Sequence, residues 1–433
     1  MIHYDTAVIG SGIAGLTAAI YSQSHGKRTV LISQGQSAMH FASGSFDVLS
    51  RLPDGAPVSH PFLSMQTLFQ QRPTHPYHRV GIEAVRASLT WFCKMLASCG
   101  VPLTHQADDA NHYRITALGT LKPTWLSQPY VYQHRKAVPF KRVVVISVKG
   151  YRDFSPQMIR DNLTLHPDFA TTPIESALIT LPVQPTRNHN WRALDLAHQL
   201  RIEQNWQHWC ESLNALATPD DLVVIPAILG NGDGLVQLGT LHKTTGLTFN
   251  EVAAMPPSLL GIRIEEALTR EFRRLGGTLL RGDCVTGGEF EYNKLISLST
   301  SHLGNTKIHA EHFMMATGSY FSQGLKAQYH NISEPVFGLE MDSNYQQGAW
   351  YQNRFAGNHA HPFIAFGVKT DANLHPYRDG KIVSNLYCCG AMLANYDPVF
   401  EGCGGGVAIA TAYHAVRQTL PTPLAIETGE ATL

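Results

Sequence analysis

Gly10-Ser11-Gly12-Ile13-Ala14-Gly15 is the run whose residue types and spacing point most directly to chemistry. In such a turn the first glycine allows a tight bend and the second lets backbone approach a pyrophosphate. The third permits a helix to pack closely on a strand. The N–H groups and positive end of the following helix then face the phosphate. The motif counts only in context, and that context is present. Tyr4 to Ile9 is a short apolar run suited to a buried strand, and Leu16 and Ile20 sit four apart in an Ala-rich helical pattern. Gly26 offers a helix stop, and Thr29-Val30-Leu31-Ile32 begins a second strand. Cofactor contacts are therefore expected from Gly10, Ser11, Gly12, Ala14 and Gly15; the competing reading is a glycine-rich turn that binds nothing. One part of the pattern is missing. The acid that would hold a ribose hydroxyl falls near Ser33-Gln34, and neither residue is acidic. Ser33 can still accept a hydrogen bond, so a phosphate-bearing cofactor is better supported than a full dinucleotide.

The C-terminal half adds strands and glycine turns that open toward a ligand. Phe313-Met314-Met315 is an apolar strand entering Ala316-Thr317-Gly318, and Asn385 to Ala391 is a strand that reaches Gly390. Gly404-Gly405-Gly406 precedes a small-residue helix from Val407 to about Arg417, whose N–H groups could meet an anionic ring edge or phosphate. Thr317, Gly318, Gly390, Gly404, Gly405 and Gly406 join the candidate cofactor residues. Pro257 to Leu275 reads as a helix, with Ile264, Leu268, Phe272 and Leu275 on one face. A strand from Thr278 runs to about Cys284-Val285.

Between these halves, residues 75–250 carry no glycine-rich nucleotide turn. Arg142 to Ile146 and Leu222 to Pro226 look like buried strands, separated by a helix from Trp191 to Trp209. The expected fold is α/β: a Rossmann-like flavin-binding domain of the two-dinucleotide-binding-fold type with an inserted α+β cap or substrate domain. Residues 1–75 with 250–433 form the first unit, and residues 76–249 form the insert.

Composition narrows the function. The 433 residues are 44% hydrophobic and 15% charged, against roughly 25% charged in an average soluble chain, which excludes a disordered solvating protein. Lys plus Arg equals Asp plus Glu at 33 each, so no basic excess offers itself to nucleic acid. The seven cysteines include no CxxC pair, so neither a disulfide framework nor a metal site is expected. Thr6 to Gly26 lacks charged residues, but Gly10, Gly12 and Gly15 interrupt it, and it reads as soluble rather than membrane-spanning. The default compartment is cytoplasmic.

Four runs carry a closer likeness. They are Gly35-Gln36-Ser37-Ala38-Met39-His40-Phe41-Ala42-Ser43-Gly44-Ser45-Phe46-Asp47, Leu118-Gly119-Thr120-Leu121 with Thr124-Trp125-Leu126-Ser127, Pro256-Pro257-Ser258-Leu259-Leu260-Gly261-Ile262-Arg263, and Gly402-Cys403-Gly404-Gly405-Gly406. With them the chain resembles the family of B subunits of anaerobic glycerol-3-phosphate dehydrogenase over nearly its whole length. The resemblance implies a flavoprotein subunit of a quinone-linked enzyme that oxidises sn-glycerol 3-phosphate to dihydroxyacetone phosphate during anaerobic respiration, with fumarate or nitrate as terminal acceptor. It implies FMN as cofactor and adds Ser43 and Gly44 to the cofactor residues; the glycine turn, shaped for a pyrophosphate that FMN lacks, keeps FAD as the alternative. It also implies a sister FAD-bearing subunit and a membrane-associated iron–sulfur subunit, which would place this chain peripherally at the inner face of the cell membrane. Such an oxidation needs a base for the hydroxyl proton and cations for the phosphate. His40 and His361 are the candidate bases, and Lys122, Arg152, Arg263 and Arg354 the candidate cations. Two rival readings are a self-sufficient FAD-dependent oxidoreductase of the fumarate-reductase type and a non-redox binding module on a nucleotide fold.

Overall fold

The computed structural model describes residues 2–183, 190–329, 331–344, 346, 348–354 and 360–421. In chain order the main elements begin with β1 Ile2–Ile9, α1 Ile13–Ser24, β2 Thr29–Ser33, α2 Pro61–Gln71, α3 Pro76–Val80 and α4 Ile82–Ser98. There follow β3 His112–Ile115, β4 Leu121–Thr124, β5 Arg142–Val148, α5 Pro156–Thr164, β6 Ile174–Ile179, α6 Ala193–Gln199, α7 Glu203–Leu216, β7 Asp221–Pro226, α8 Gly234–Thr245 and β8 Thr248–Val252. The rest are α9 Leu259–Arg274, β9 Thr278–Arg281, β10 Val285–Glu291, β11 Lys294–Thr300, β12 Ile308–Met315, β13 Leu386–Cys388 and α10 Gly404–Arg417.

Two sheets result. The larger runs β10-β11-β12-β1-β2-β9, with β13 beside the C-terminal part of β12. β12, β1, β2, β9 and β13 are parallel, while β10 and β11 add an antiparallel edge. Strands covered on both faces become unbroken apolar runs: every residue of β2 is buried, as is the second half of β1. The smaller sheet runs β6-β5-β7-β8 and is parallel throughout. The insert, expected to be α+β, thus contains a parallel α/β sheet beside the antiparallel β3–β4 hairpin. Its central strands β5 and β7 are continuous Val/Leu/Ile runs without alternation, the pattern of a doubly covered sheet.

Each sheet has its own core. One holds Val8, Leu31, Phe313 and Ile409; the other holds Val144, Phe169, Trp209 and Val223. α3 and α4 follow residue 76, yet Tyr77, Leu89 and Phe92 lie in the first core, because α4 turns its Val85-Leu89-Phe92-Leu96 stripe toward α10. The second cluster runs from Ile115 to Ile262. α9 belongs to both: Leu259, Leu260 and Ile262 face the second core, and Ile264, Leu268 and Phe272 the first.

Two local expectations change. The helix expected from Trp191 to Trp209 is divided into α6 and α7, where the Asn205 side-chain amide donates to the Gln199 carbonyl at 3.1 Å. The strand expected from Thr278 to Val285 ends at Arg281, because Gly282 turns the chain at φ +86° before β10 begins.

Candidate functional site

The parallel strands of the larger sheet end at the glycine turn, the edge where open α/β sheets bind ligands. Gly10 adopts φ +103°, and a Cβ there would lie 2.3 Å from the Ala316 carbonyl oxygen. A Cβ on Gly15 would lie 1.7 Å from the Gly10 carbonyl oxygen. These two glycines are required by packing. Gly12 differs: a Cβ there would meet nothing within 4 Å, so this stretch of backbone faces open space. α1 begins with no side-chain cap and no acid in its first turn, leaving its orphan N–H groups for an anion. The Ser11 and Ser33 hydroxyls lie 2.6 Å apart, and Ser33 Oγ donates to the Gly35 carbonyl at 3.0 Å.

Other candidate residues converge on the same edge. The Gly10–Ala316 approach sets Thr317 and Gly318 beside the turn; Thr317 Oγ1 reaches Met392 Sδ at 3.9 Å. Gly390 donates its N–H to Thr411 Oγ1 at 3.0 Å, and a Cβ on it would come within 2.8 Å of Ala14 Cβ, so α1 and α10 meet there. α10 also starts without a side-chain cap or an acid in its first turn. Its glycines serve packing: a Cβ would sit 3.0 Å from Pro398 at Gly404, 3.1 Å from Phe46 at Gly405 and 2.0 Å from the Tyr77 hydroxyl at Gly406. Ser43 Oγ accepts from the Ser45 N–H at 3.4 Å, and Gly44 is pressed between Gln128 and Leu260.

The candidate bases occupy separate segments, His40 within the 3-10 turn Ala38–Phe41 and His361 just before the 3-10 turn Pro362–Ala365. His40 Nε2 lies 3.1 Å from Glu265 Oε2, which also accepts from Ser37 Oγ at 2.8 Å. His361 Nδ1 accepts from the Gln352 N–H at 3.1 Å. Among the candidate cations Arg263 is removed. It is fully buried and gives two hydrogen bonds to Glu251, the longer at 2.8 Å, with Nε donating to the Gly230 carbonyl. Lys122 pairs with Asp47 at 2.8 Å, while Arg152 and Arg354 are exposed.

Sequence reading missed a buried cluster just before α10. Glu401 accepts from Arg72 Nη1 at 2.6 Å, from His75 Nε2 at 3.1 Å and from the Cys403 thiol at 3.6 Å. His75 Nδ1 accepts the Tyr77 N–H, so its proton sits on Nε2. Cys, His and Glu are possible metal ligands and these three lie together. However, Arg72 already neutralises the carboxylate and would repel a cation. The cluster is a closed hydrogen-bonded brace that holds Glu401 and Cys403 at the start of α10.

Buried and half-buried histidines make stability depend on pH. Burial pushes His112 down to about 4 and lowers His75, His312 and His414 as well. Each binds its proton more weakly folded than unfolded, so stability is fully present above about pH 6.5 and drains as pH falls toward 4. His112 alone accounts for about 3 kcal/mol across that interval. Urea unfolding at pH 7.5, 6 and 5 is expected to show the loss, with a flatter profile for His112→Gln. A parent whose stability is level over that range contradicts it.

Comparison with known proteins identifies the family. The family described as "FAD binding domain" matches residues 5–407. A protein of Vibrio cholerae, named as the B subunit of anaerobic glycerol-3-phosphate dehydrogenase, is 54% identical over 425 residues, covering 98% of each chain. Its namesake in Vibrio vulnificus is 51% identical over 434 residues, covering 99% of each. The chain belongs to the family of anaerobic glycerol-3-phosphate dehydrogenase B subunits. The family's name makes those relatives one subunit of several, and its flavin-type domain agrees with what the larger sheet presents: open backbone at Gly12 and an uncapped helix start, which suit a flavin's phosphate. Among the described residues no helix is long and apolar enough to cross a membrane.

Proposed function

We propose that this chain is the flavoprotein subunit of a quinone-linked enzyme that oxidises sn-glycerol 3-phosphate to dihydroxyacetone phosphate. The observation that carries the reading is the glycine turn, where Gly12 leaves backbone open in front of the uncapped start of α1. A flavin held by Gly12, Ser11 and the N–H groups of α1 would supply the hydride acceptor. The protein's part is to hold the flavin phosphate at α1, to place the alcohol, and to take its hydroxyl proton. His40, oriented by Glu265, has the base-and-orienter arrangement that proton transfer uses, and His361 is the second candidate. The cofactor contacts proposed are Gly12, Ser11 and the N–H groups of α1, with Thr317, Gly318 and the start of α10 nearby.

FMN is the cofactor of this reading, supported by the absence of an acid at Ser33-Gln34. FAD is the second reading, favoured by the description of the matching family. Electrons would leave through a sister FAD-bearing subunit and a membrane-associated iron–sulfur subunit to quinone, with this chain peripheral at the inner face of the membrane. In this division of labour the larger sheet carries the flavin and the inserted unit covers the substrate.

The complex purified with its partners is expected to be yellow and to bleach on anaerobic addition of glycerol 3-phosphate. A colourless subunit from flavin-replete cells rejects the redox reading. Denaturation and chromatography of the released flavin identify the cofactor, and an adenylated flavin replaces FMN with FAD.

A further inference from the structure

The β3–β4 hairpin places two cations side by side. Arg114 and Lys122 are direct cross-strand partners, so their side chains share a face, where like charges repel. A single carboxylate answers them: Asp47 holds Lys122 Nζ at 2.8 Å. Among the described residues no carboxylate lies within ion-pair distance of Arg114, and its Nε is sealed from solvent without a hydrogen-bond acceptor. A largely buried guanidinium with an unmet donor is unfavourable unless an anion arrives to satisfy it. Burial indeed lowers the Arg114 pKa, with Asp47 only partly offsetting it.

The surroundings favour the same kind of ligand. The Asp47 carbonyl accepts the Gly406 N–H at 2.9 Å, which sets this pair of cations beside the start of α10, a helix end with no side-chain cap. Hydroxyls complete the lining: Ser45 Oγ lies 3.2 Å from Ser127 Oγ, which lies 2.8 Å from His112 Nε2. His112 is held neutral by burial, so it adds hydrogen bonding without charge. Two cations against the one carboxylate paired with them, with two hydroxyls and a helix start close by, leave the hairpin face net positive and rich in donors. A carboxylate ligand would use one or two of these donors, whereas a phosphate monoester, with close to two negative charges and three acceptor oxygens, matches the set.

We propose that Arg114 and Lys122, together with the start of α10, form the subsite for the phosphate group of a small polyol-phosphate substrate. The proposal rests on the reading that substrate is oxidised on this chain. The same chemistry could instead serve the flavin's own phosphate, and the experiment separates the two sources. The flavin-loaded complex is titrated by calorimetry with glycerol 3-phosphate, inorganic phosphate and glycerol, and flavin content is measured for each variant. Glycerol 3-phosphate and phosphate are expected to bind and glycerol to fail. Arg114→Gln is expected to weaken glycerol 3-phosphate about 30-fold and Lys122→Gln about 10-fold, with flavin content unchanged. Arg114→Lys is expected to restore part of the loss. Lys122 is half exposed, so its variant reports on binding even where Arg114→Gln misfolds. Unchanged affinity in folded variants overturns the subsite and leaves the flavoprotein reading standing. Loss of flavin from the variants assigns the cation pair to the cofactor and overturns the subsite equally. A yellow parent complex that binds no phosphate ligand rejects both the subsite and the substrate reading.

Discussion

Gly15→Ala is expected to give a protein that unfolds well below the parent and purifies without flavin. The added methyl would stand 1.7 Å from the Gly10 carbonyl oxygen, and that atom cannot retreat. The Gly10 N–H is fixed to the Ile32 carbonyl at 2.8 Å, and Ala316 closes the other side. α1 must therefore move off β1, which spoils the buried contacts of Leu16 and Ile20 and shifts the start of the helix. Overpacking of this kind costs about 3 kcal/mol. Gly12→Ala is the informative contrast. Gly12 has φ −71°, ordinary for alanine, and open space around its Cβ position, so the variant should keep the parent's stability and lose only flavin affinity. Urea unfolding and visible absorbance of both variants check the pair. Equal stability of Gly15→Ala and parent contradicts the packing role.

The second large effect lies at Glu251. Arg263 and Glu251 are each about 1% exposed at the side chain, and removing one partner strands a charge in the interior. Breaking such a pair costs about 3–5 kcal/mol, whereas replacing both members with apolar groups is often close to neutral. Glu251→Ala should therefore be severely destabilised, and Glu251→Leu combined with Arg263→Met should recover most of the loss. The position enlarges the consequence. Arg263 sits where α9 passes from one core to the other, between Ile262 and Ile264, so its displacement loosens both. A denaturant series on Glu251→Leu, Arg263→Met and the double variant measures the coupling. Additive single effects rule the argument out.

What the sequence made legible was local. β1, the glycine turn, α1 and β2 lie within some thirty residues, so strand, turn and helix patterns reinforce each other along the chain. Buried strands such as Leu222 to Pro226 were visible for the same reason. What stayed hidden depends on pairings between distant segments. Arg263 looked like a free cation because Glu251 gives no sign of facing it, and Arg114 went unnoticed because only the hairpin register sets it opposite Lys122. The brace of Arg72, His75, Glu401 and Cys403 joins residues more than 300 positions apart. α3 and α4 were assigned to the insert by position, whereas their partner α10 lies at the far end of the chain. The choice of substrate came from family likeness; the residues alone reach a phosphate-bearing cofactor.

The order of the sheets bears on how the protein is made. β1 lies between β2 and β12, and β12 is synthesised about 300 residues after it. At roughly 5–20 residues per second, the edge formed by Ala7, Val8 and Ile9 waits on the order of 15–60 s for its neighbour. The smaller core, whose buried residues all fall between 115 and 262, is finished while that edge is still open. The unit whose first strands precede the insert is thus the last to close, because β12 and α10, which meets α1 at Gly390 and Ala14, follow the whole of the smaller core in the chain. A transiently bare strand edge is the cost of dividing one sheet between two segments that flank an inserted unit.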